Sequence, residues 1–139
     1  MKLEHQVCLL AQGQKFDELG VKAESYFVWS KIPPNPYGDN EPALLMDFNF
    51  KYANEPFYFA YSCAELGVLL PNEIIIRNTE YIKATDYGYG KWNAFYINHG
   101  ISDINIKYQE AHYYEAHAKA ELLIHLLEKQ IIKPEKLKL

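Results

Sequence analysis

The chain has 139 residues, of which 49% are apolar and 23% charged, with 14 Lys and Arg against 18 Asp and Glu. This length predicts one domain with its own core, and the apolar fraction excludes an intrinsically disordered chain. The net charge of −4 does not provide the overall attraction for phosphate backbones that a basic nucleic-acid-binding domain has.

Targeting and redox features are those of a reduced, soluble protein. The first residues contain no basic region followed by an apolar stretch, so no secretory signal is predicted. The longest apolar runs, residues 43–46 and 57–61, are far shorter than the ~20 residues of a membrane span. Cys8 and Cys63 are too few for a disulfide framework or a zinc knuckle, and each lies among apolar residues. We expect a soluble intracellular protein without a membrane partner, in which both thiols are structural.

The first predicted element is a helix over residues 8–19. Apolar residues recur there at helical spacing, and Gly20 follows where a helix end favours positive φ. Gly13 weakens this helix by about 1 kcal/mol relative to Ala, so its packing has to supply the difference.

Two strands are predicted next, joined by a long loop. Residues 25–31 are dense in aromatic and β-branched side chains, and residues 44–50 are again mostly apolar. Residues 33–42 between them contain four of the seven prolines. The two strands are therefore expected to form a hairpin with an unusually long surface connection.

The middle of the chain predicts a short helix and then a meander. Ser62 and Glu65 have the spacing of a capping box, which starts a helix over residues 63–70. Turn signals then separate short β-rich segments, and connections this short favour antiparallel pairing. The predicted strands cover residues 73–78, 81–85, 92–98 and 104–110.

The C-terminal segment predicts a long amphipathic helix. Its apolar positions fall on one face: Tyr113, Ala116, Ala120, Leu123, Ile124, Leu127 and Ile131. Pro134 ends the pattern, and residues 133–139 are expected to fray. The resulting prediction is a single α+β domain over residues 1–139. It has a mostly antiparallel sheet of about 4–6 strands, with an N-terminal, a short central and a long C-terminal helix packed on one face.

Three stretches together resemble a known group of proteins. They are QVC at residues 6–8 with FDELGVKAESYFVW at 16–29, YSCAELGVLLP at 61–71, and EAHAKAELLIHLLE at 115–128. In order and approximate spacing they are similar to a group of small proteins encoded by bacteriophages and prophages, for which no activity is assigned. The resemblance implies a phage or prophage origin, an α+β fold and a place in the cytoplasm of a host bacterium. It implies no catalytic residue.

The sharpest candidate for a metal site is His117, Glu121 and His125, spaced i, i+4, i+8 on the last helix. Two imidazoles and a carboxylate on one side of a helix could share a metal ion. A helical wheel instead places them on the flank opposite the apolar face, where a solvated polar surface is expected. His112 lies nearer the apolar side and is expected to be partly buried. The solvated interpretation is favoured, so neither a metal ion nor a cofactor is predicted.

Aromatic side chains on the strands suggest a second kind of site. They could stack on single-stranded nucleic acid, together with Lys91 and Lys107. The aromatic residues in question are Tyr87, Tyr89, Trp92, Tyr96 and Tyr108. Alternatively, they fill the layer beneath the last helix, and the net negative charge and single arginine favour that interpretation.

Tyr87, Tyr89 and Trp92, with Tyr37 in the proline-rich loop, are not explained by packing and form a possible interaction surface. Residues 86–91 contain two glycines and a lysine, but strand residues follow, so a hairpin turn is predicted rather than a phosphate-binding loop. No nucleophile and base are spaced for catalysis, so no catalytic residue is predicted. The sequence favours a non-enzymatic accessory or protein-interaction domain that binds a protein partner or a second copy, with the free sheet face as its contact. The alternative is a protein associated with single-stranded nucleic acid, and a metal-dependent enzyme is a third hypothesis.

Overall fold

Helices and strands follow one another in the predicted order, with one additional strand. The computed structural model describes residues 2–30, 43–45, 57–100 and 103–139, with the backbone alone at 43–45. In these ranges the α-helices are α1 (Leu10–Glu18), α2 (Cys63–Leu69) and α3 (Glu115–Glu128). The strands are β1 (Val28–Ser30), β2 (Ala43–Leu45), β3 (Phe57–Phe59), β4 (Glu73–Ile76), β5 (Thr79–Gly88), β6 (Lys91–His99) and β7 (Ile104–His112). The predicted α+β class is confirmed.

The smaller sheet has three strands in the order β2–β1–β3, with β1 antiparallel to both neighbours. Val28 in β1 faces Leu45 on one side and Phe59 on the other. The predicted pairing of the two N-terminal strands is confirmed for β1 and β2. The predicted loop over residues 33–42 and the rest of the second strand, residues 46–50, lie outside the described residues. The sequence did not predict β3, because its three residues are too short to show a strand period.

The larger sheet is a meander in the order β4–β5–β6–β7, antiparallel throughout. Two-residue turns join β4 to β5 and β5 to β6. The second of these turns, Tyr89 and Gly90, has φ values of 54° and 77°. Positive φ at both central residues matches the twist of the paired strands. The predicted meander and its turn are confirmed, but the strands divide between two sheets and do not form a single one.

The last helix, α3, is more deeply buried than an amphipathic stripe predicts. The expected face is buried at Ala116, Ala120 and Leu123, but Ala118, Leu122 and Leu126 on the other flanks are buried too. The physical reason is that α3 packs on β6 and β7 with one side, while α1 and α2 pack on its other sides. The helix therefore lies inside the protein as a central layer, and the prediction of a solvated opposite face was wrong.

The predicted capping box at the start of α2 is confirmed. The Ser62 hydroxyl oxygen accepts a hydrogen bond from the Glu65 amide at 3.1 Å, and Glu65 Oε1 accepts one from the Ser62 amide at 2.9 Å. The same carboxylate oxygen accepts a hydrogen bond from Ser25 Oγ at 2.7 Å. The cap therefore also anchors the segment that leads into β1.

The C-terminal tail differs from the expected frayed end. Residues Pro134–Lys136 form a 3-10 turn, and Leu137 packs against the main core together with Ile131 and Ile132. Burial of three apolar side chains offsets the conformational entropy that frays a polar terminus.

Candidate functional site

The predicted aromatic surface lies at the end of the β5–β6 hairpin. Tyr87 and Trp92 are cross-strand partners, and their ring centroids are 5.4 Å apart. Tyr89 is fully exposed at the tip of the turn, whereas Trp92 is half-buried. The structure therefore brings Tyr87, Tyr89 and Trp92 to one end of the sheet. Tyr37, the fourth predicted member, lies outside the described residues.

Three further residues of the proposed nucleic-acid surface are engaged within the protein, whereas Lys107 is exposed. Tyr96 is buried, and its hydroxyl donates to the Pro71 carbonyl at 2.6 Å. Tyr108 is half-buried against the ring of His125 at 5.1 Å between centroids. Lys91 Nζ lies 5.3 Å from the centre of the Tyr113 ring, an intramolecular cation–π contact. Three of the five aromatic side chains thus serve packing: Trp92, Tyr96 and Tyr108.

The three candidate metal ligands do not converge. His117 Nε2 lies 3.2 Å from the Glu4 carbonyl, and His125 Nδ1 lies 2.9 Å from Glu110 Oε1. Glu121 Oε1 accepts a hydrogen bond from Gln12 Nε2 at 2.9 Å. In the ranges that the structure describes, no three His, Cys, Asp or Glu side chains are placed to hold a metal ion.

His117 is buried because the N-terminal segment covers its flank of α3. Its ring meets the rings of His112 and Tyr114 edge-on, at 5.7 and 5.3 Å between centroids. Burial lowers the pKa of His117, and the nearby His112 and His5 lower it further. A neutral imidazole that donates Nε2–H to the Glu4 carbonyl fits this environment.

This lowered pKa predicts a loss of stability in mild acid. The unfolded chain protonates His117 near its ordinary pKa of 6.5, while the folded protein resists protonation until lower pH. The stabilising contribution is complete above about pH 6.5 and is lost as the pH falls toward the pKa of the folded state. Urea unfolding between about pH 7.5 and 5 should show a smaller pH dependence in His117→Gln than in the wild type.

The exposed His99 provides the matched control for this measurement. His99→Gln should keep the wild-type pH dependence. An unchanged pH dependence in His117→Gln would show that the buried histidine does not cause the acid sensitivity.

Both cysteines are shielded from solvent, Cys8 more completely than Cys63. Cys8 is fully buried, and burial raises the pKa of its thiol to about 12. Cys63 is half-buried, and burial also raises the pKa of its thiol, although Lys119 Nζ lies 3.5 Å from the sulfur. Both are therefore neutral thiols near neutral pH, as expected of structural cysteines.

The outer face of the meander carries an apolar surface that the sequence did not reveal. The register aligns Ile82 with Ile97, and Ile97 with Ile106, in one row across β5, β6 and β7. Ile82 is 53% exposed and Ile106 is 47% exposed. The described helices pack on the opposite face of this sheet, around Tyr81 and Tyr96. We call this row of three isoleucines the isoleucine face. In the adjacent row, Ile75 and Ile104 lie on the two edge strands, paired with Glu80 and His99.

Polar groups border the isoleucine face. On one side, Asn93 Nδ2 donates to Asp86 Oδ1 at 2.9 Å, and Gln109 Nε2 donates to Asn93 Oδ1 at 3.1 Å. On the other side, a hydrogen bond between the side chains of Glu73 and Glu80, together with the charge of Glu73, raises the pKa of Glu80. An apolar centre with a polar border is the usual composition of a protein–protein contact.

The sequence analysis predicted the free sheet face as a contact but did not single out these isoleucines. Each strand does show alternation, so the outward isoleucines could be found one strand at a time. Their alignment into a row depends on the hairpin register and on the bulge between Ala94 and Tyr96.

None of the helices in the described ranges has the length and apolar character that crossing a membrane requires. Comparisons with family models, with curated proteins and with solved structures find no match to this chain. We therefore infer function from the geometry of the protein's own surfaces.

Proposed function

We propose that this protein is an interaction domain that self-associates through the isoleucine face. The observation that carries the proposal is the row Ile82–Ile97–Ile106, uncharged across three strands and about half exposed at both ends. Isoleucines at this exposure leave apolar surface in water, and its burial contributes roughly 25 cal/mol per Å². The phage or prophage role that the resemblance suggests is part of this proposal.

A second copy is the partner that the charge pattern favours. The row that runs from β4 to β7 begins with Glu73 and continues with Ile82, Ile97 and Ile106. A two-fold axis parallel to the strands would reverse this row in the second copy. Ile82 then lies over the partner's Ile97, and Glu73 lies near the partner's Ile106, away from the partner's Glu73. Two sheets can pack face to face in this way at ~10 Å.

The expected result is a dimer that a single charge in the row disrupts. Ile82→Lys places an ammonium in the centre of the contact, and we expect dimerisation to weaken at least about tenfold. Sedimentation equilibrium over the micromolar range measures the change directly. Ile82 is already half exposed in the monomer, so the variant is expected to fold.

Val68 provides the matched control, since it is 65% exposed on α2, away from the isoleucine face. Val68→Lys adds the same charge and should leave the dimer intact. A wild-type protein that stays monomeric throughout the range contradicts the proposal. Equal masses for wild type and Ile82→Lys would also contradict it.

The nucleic-acid alternative stays a prediction with less support. Tyr87, Tyr89 and Lys91 do lie together at the hairpin end, but Asp86 is on the same hairpin and Lys91 contacts Tyr113. Binding to a phosphate backbone normally uses several clustered cations.

A further inference from the structure

A pocket of about 480 Å³ lies on the helix side of the meander, beside Trp92 near the start of β6. It forms where the N-terminal 3-10 turn, β6 and the first turns of α2 and α3 meet. The residues that matter for its chemistry are Leu3, His5, Cys63, Trp92, Tyr114 and Glu115. Its volume falls within the roughly 300–1,000 Å³ of small-molecule sites in proteins.

The walls of this pocket are aromatic and are held in place. The rings of His5 and Tyr114 stack with centroids 3.9 Å apart and planes 9° from parallel. Tyr114 also meets the ring of buried His117 edge-on, and Trp92 is supported by Tyr87 on the neighbouring strand. Because each ring is fixed by another, a flat ligand would lose little energy to ordering the walls.

The charged groups around the pocket restrict which ligands can bind there. Neither Lys nor Arg is among the described residues that line it, and Glu115 contributes a carboxylate. That carboxylate lies 3.3 Å from Lys119 Nζ and, in the first turn of α3, it already satisfies the preference of the helix dipole for negative charge. An anionic ligand would therefore be repelled more than it is attracted.

The first turn of α3 supplies hydrogen-bond donors. The N-cap residue of α3, Tyr114, makes no side-chain cap, whereas Ser62 caps the first turn of α2. The leading amides of a helix lack partners within the helix and donate to any acceptor in front of them. A carbonyl oxygen or an aromatic ring nitrogen suits this position.

From these features we propose that the pocket binds a planar, uncharged aromatic heterocycle with at least one hydrogen-bond acceptor, about the size of a two-ring system. Its flat face contacts the rings of Trp92 and Tyr114, and its acceptor faces the first turn of α3. The binding site is separate from the isoleucine face, and so the proposal does not depend on self-association.

Quinoline is a suitable probe, since it is planar, is neutral above about pH 7 and carries a ring nitrogen. The chain contains two tryptophans, and only Trp92 lines the pocket, while Trp29 donates its indole N–H to the Cys8 carbonyl. In a proton–nitrogen correlation spectrum we expect quinoline to shift the Trp92 indole signal saturably and to leave the Trp29 signal in place. Quinoline-6-carboxylate should bind at least about tenfold more weakly.

Two variants test where quinoline binds and whether Glu115 weakens the binding of a negatively charged ligand. Ala64 lines the pocket but is exposed, so Ala64→Phe fills the pocket without removing a core side chain and should abolish the quinoline shift. Glu115→Gln should improve binding of the carboxylate probe and leave quinoline binding nearly unchanged. Ile82→Lys is the matched control outside the pocket and should bind quinoline like the wild type.

Alkylation of Cys63 gives a second measurement. Cys63 lines the pocket and is half-buried, whereas Cys8 is fully buried, so iodoacetamide should modify Cys63 before Cys8. Bound quinoline should slow the modification of Cys63. The proposal is overturned if the Trp92 signal shows no saturable shift. It is also overturned if Ala64→Phe binds quinoline like the wild type, or if the carboxylate binds as tightly as quinoline does.

Discussion

Replacing Gln12 with Glu is expected to destabilise the fold by roughly 3–5 kcal/mol. Gln12 is 3% exposed, and its amide group lies between two helices. Its Nε2 donates to the His117 carbonyl at 3.0 Å and to Glu121 Oε1 at 2.9 Å, while its Oε1 accepts from the Leu9 amide at 2.9 Å. One side chain thus closes the start of α1 and joins α1 to α3.

The substitution reverses the polarity of one end of this side chain. A carboxylate can still accept from the Leu9 amide, but its second oxygen then faces the His117 carbonyl and the Glu121 carboxylate. Two hydrogen bonds become two repulsive contacts between acceptors, and a buried charge is left without a partner. The shape of the side chain is conserved, so the loss measures hydrogen-bond polarity and charge and not packing.

Urea unfolding measures this loss, and Gln14 supplies the control on the same helix. Gln14 is half-buried, and Gln14→Glu should change the free energy of unfolding by less than about 1 kcal/mol. Adding Glu121→Gln to Gln12→Glu should recover part of the stability, because the new amide can donate to the introduced carboxylate. The loss of stability in Gln12→Glu should also become smaller in acid, because one proton shared by the two carboxylates restores a hydrogen-bond donor. Equal losses at positions 12 and 14 would contradict this role for Gln12.

The elements that the sequence predicted correctly are those with local causes. The Ser62–Glu65 capping box works within four residues, and the β5–β6 turn depends on two residues with positive φ. The long α3 follows from its own apolar spacing. Each signal is complete within one element, so no knowledge of the rest of the chain is needed.

The features that the sequence missed arise between distant segments. Gln12 and Glu121 are 109 positions apart, and the burial of His117 depends on Glu4, which is 113 positions away. A helical wheel of α3 alone places His117 on a polar flank, because nothing in the helix indicates that the N-terminal segment covers it. Only the tertiary arrangement decides whether a polar face meets water or another polar side chain.

Among the candidate surfaces too, some have a local cause and others form only between distant segments. Tyr87 and Trp92 could be grouped from the sequence, since a two-residue turn makes them cross-strand neighbours. The pocket beside Trp92 could not be predicted, because its walls come from five separate segments. The isoleucine face required the register of three strands, and one of them is bulged opposite Tyr96.

Gly13→Ala is the second substitution expected to have a large effect, and its sign opposes helix propensity. Gly13 lies inside α1, where Ala is intrinsically favoured by about 1 kcal/mol. A β-carbon at this position would lie 2.8 Å from the Phe59 carbonyl oxygen and 3.5 Å from Tyr58 Cβ, both in β3. The oxygen belongs to the backbone of a paired strand, so α1 or β3 has to move. We expect a net destabilisation of about 1–3 kcal/mol in urea unfolding.

Gly67 in α2 makes the comparison decisive, because it is also a glycine inside a helix. A β-carbon there would meet only Lys119 Nζ, at 3.4 Å, and the end of a lysine side chain can move away. Gly67→Ala should therefore stabilise the protein by up to about 1 kcal/mol, the ordinary gain from helix propensity. Opposite signs for the two variants would show that close packing of α1 on β3, and not a need for backbone freedom, explains glycine at position 13. A stabilising Gly13→Ala would contradict this close approach and would leave the helix weakened there without a packing reason.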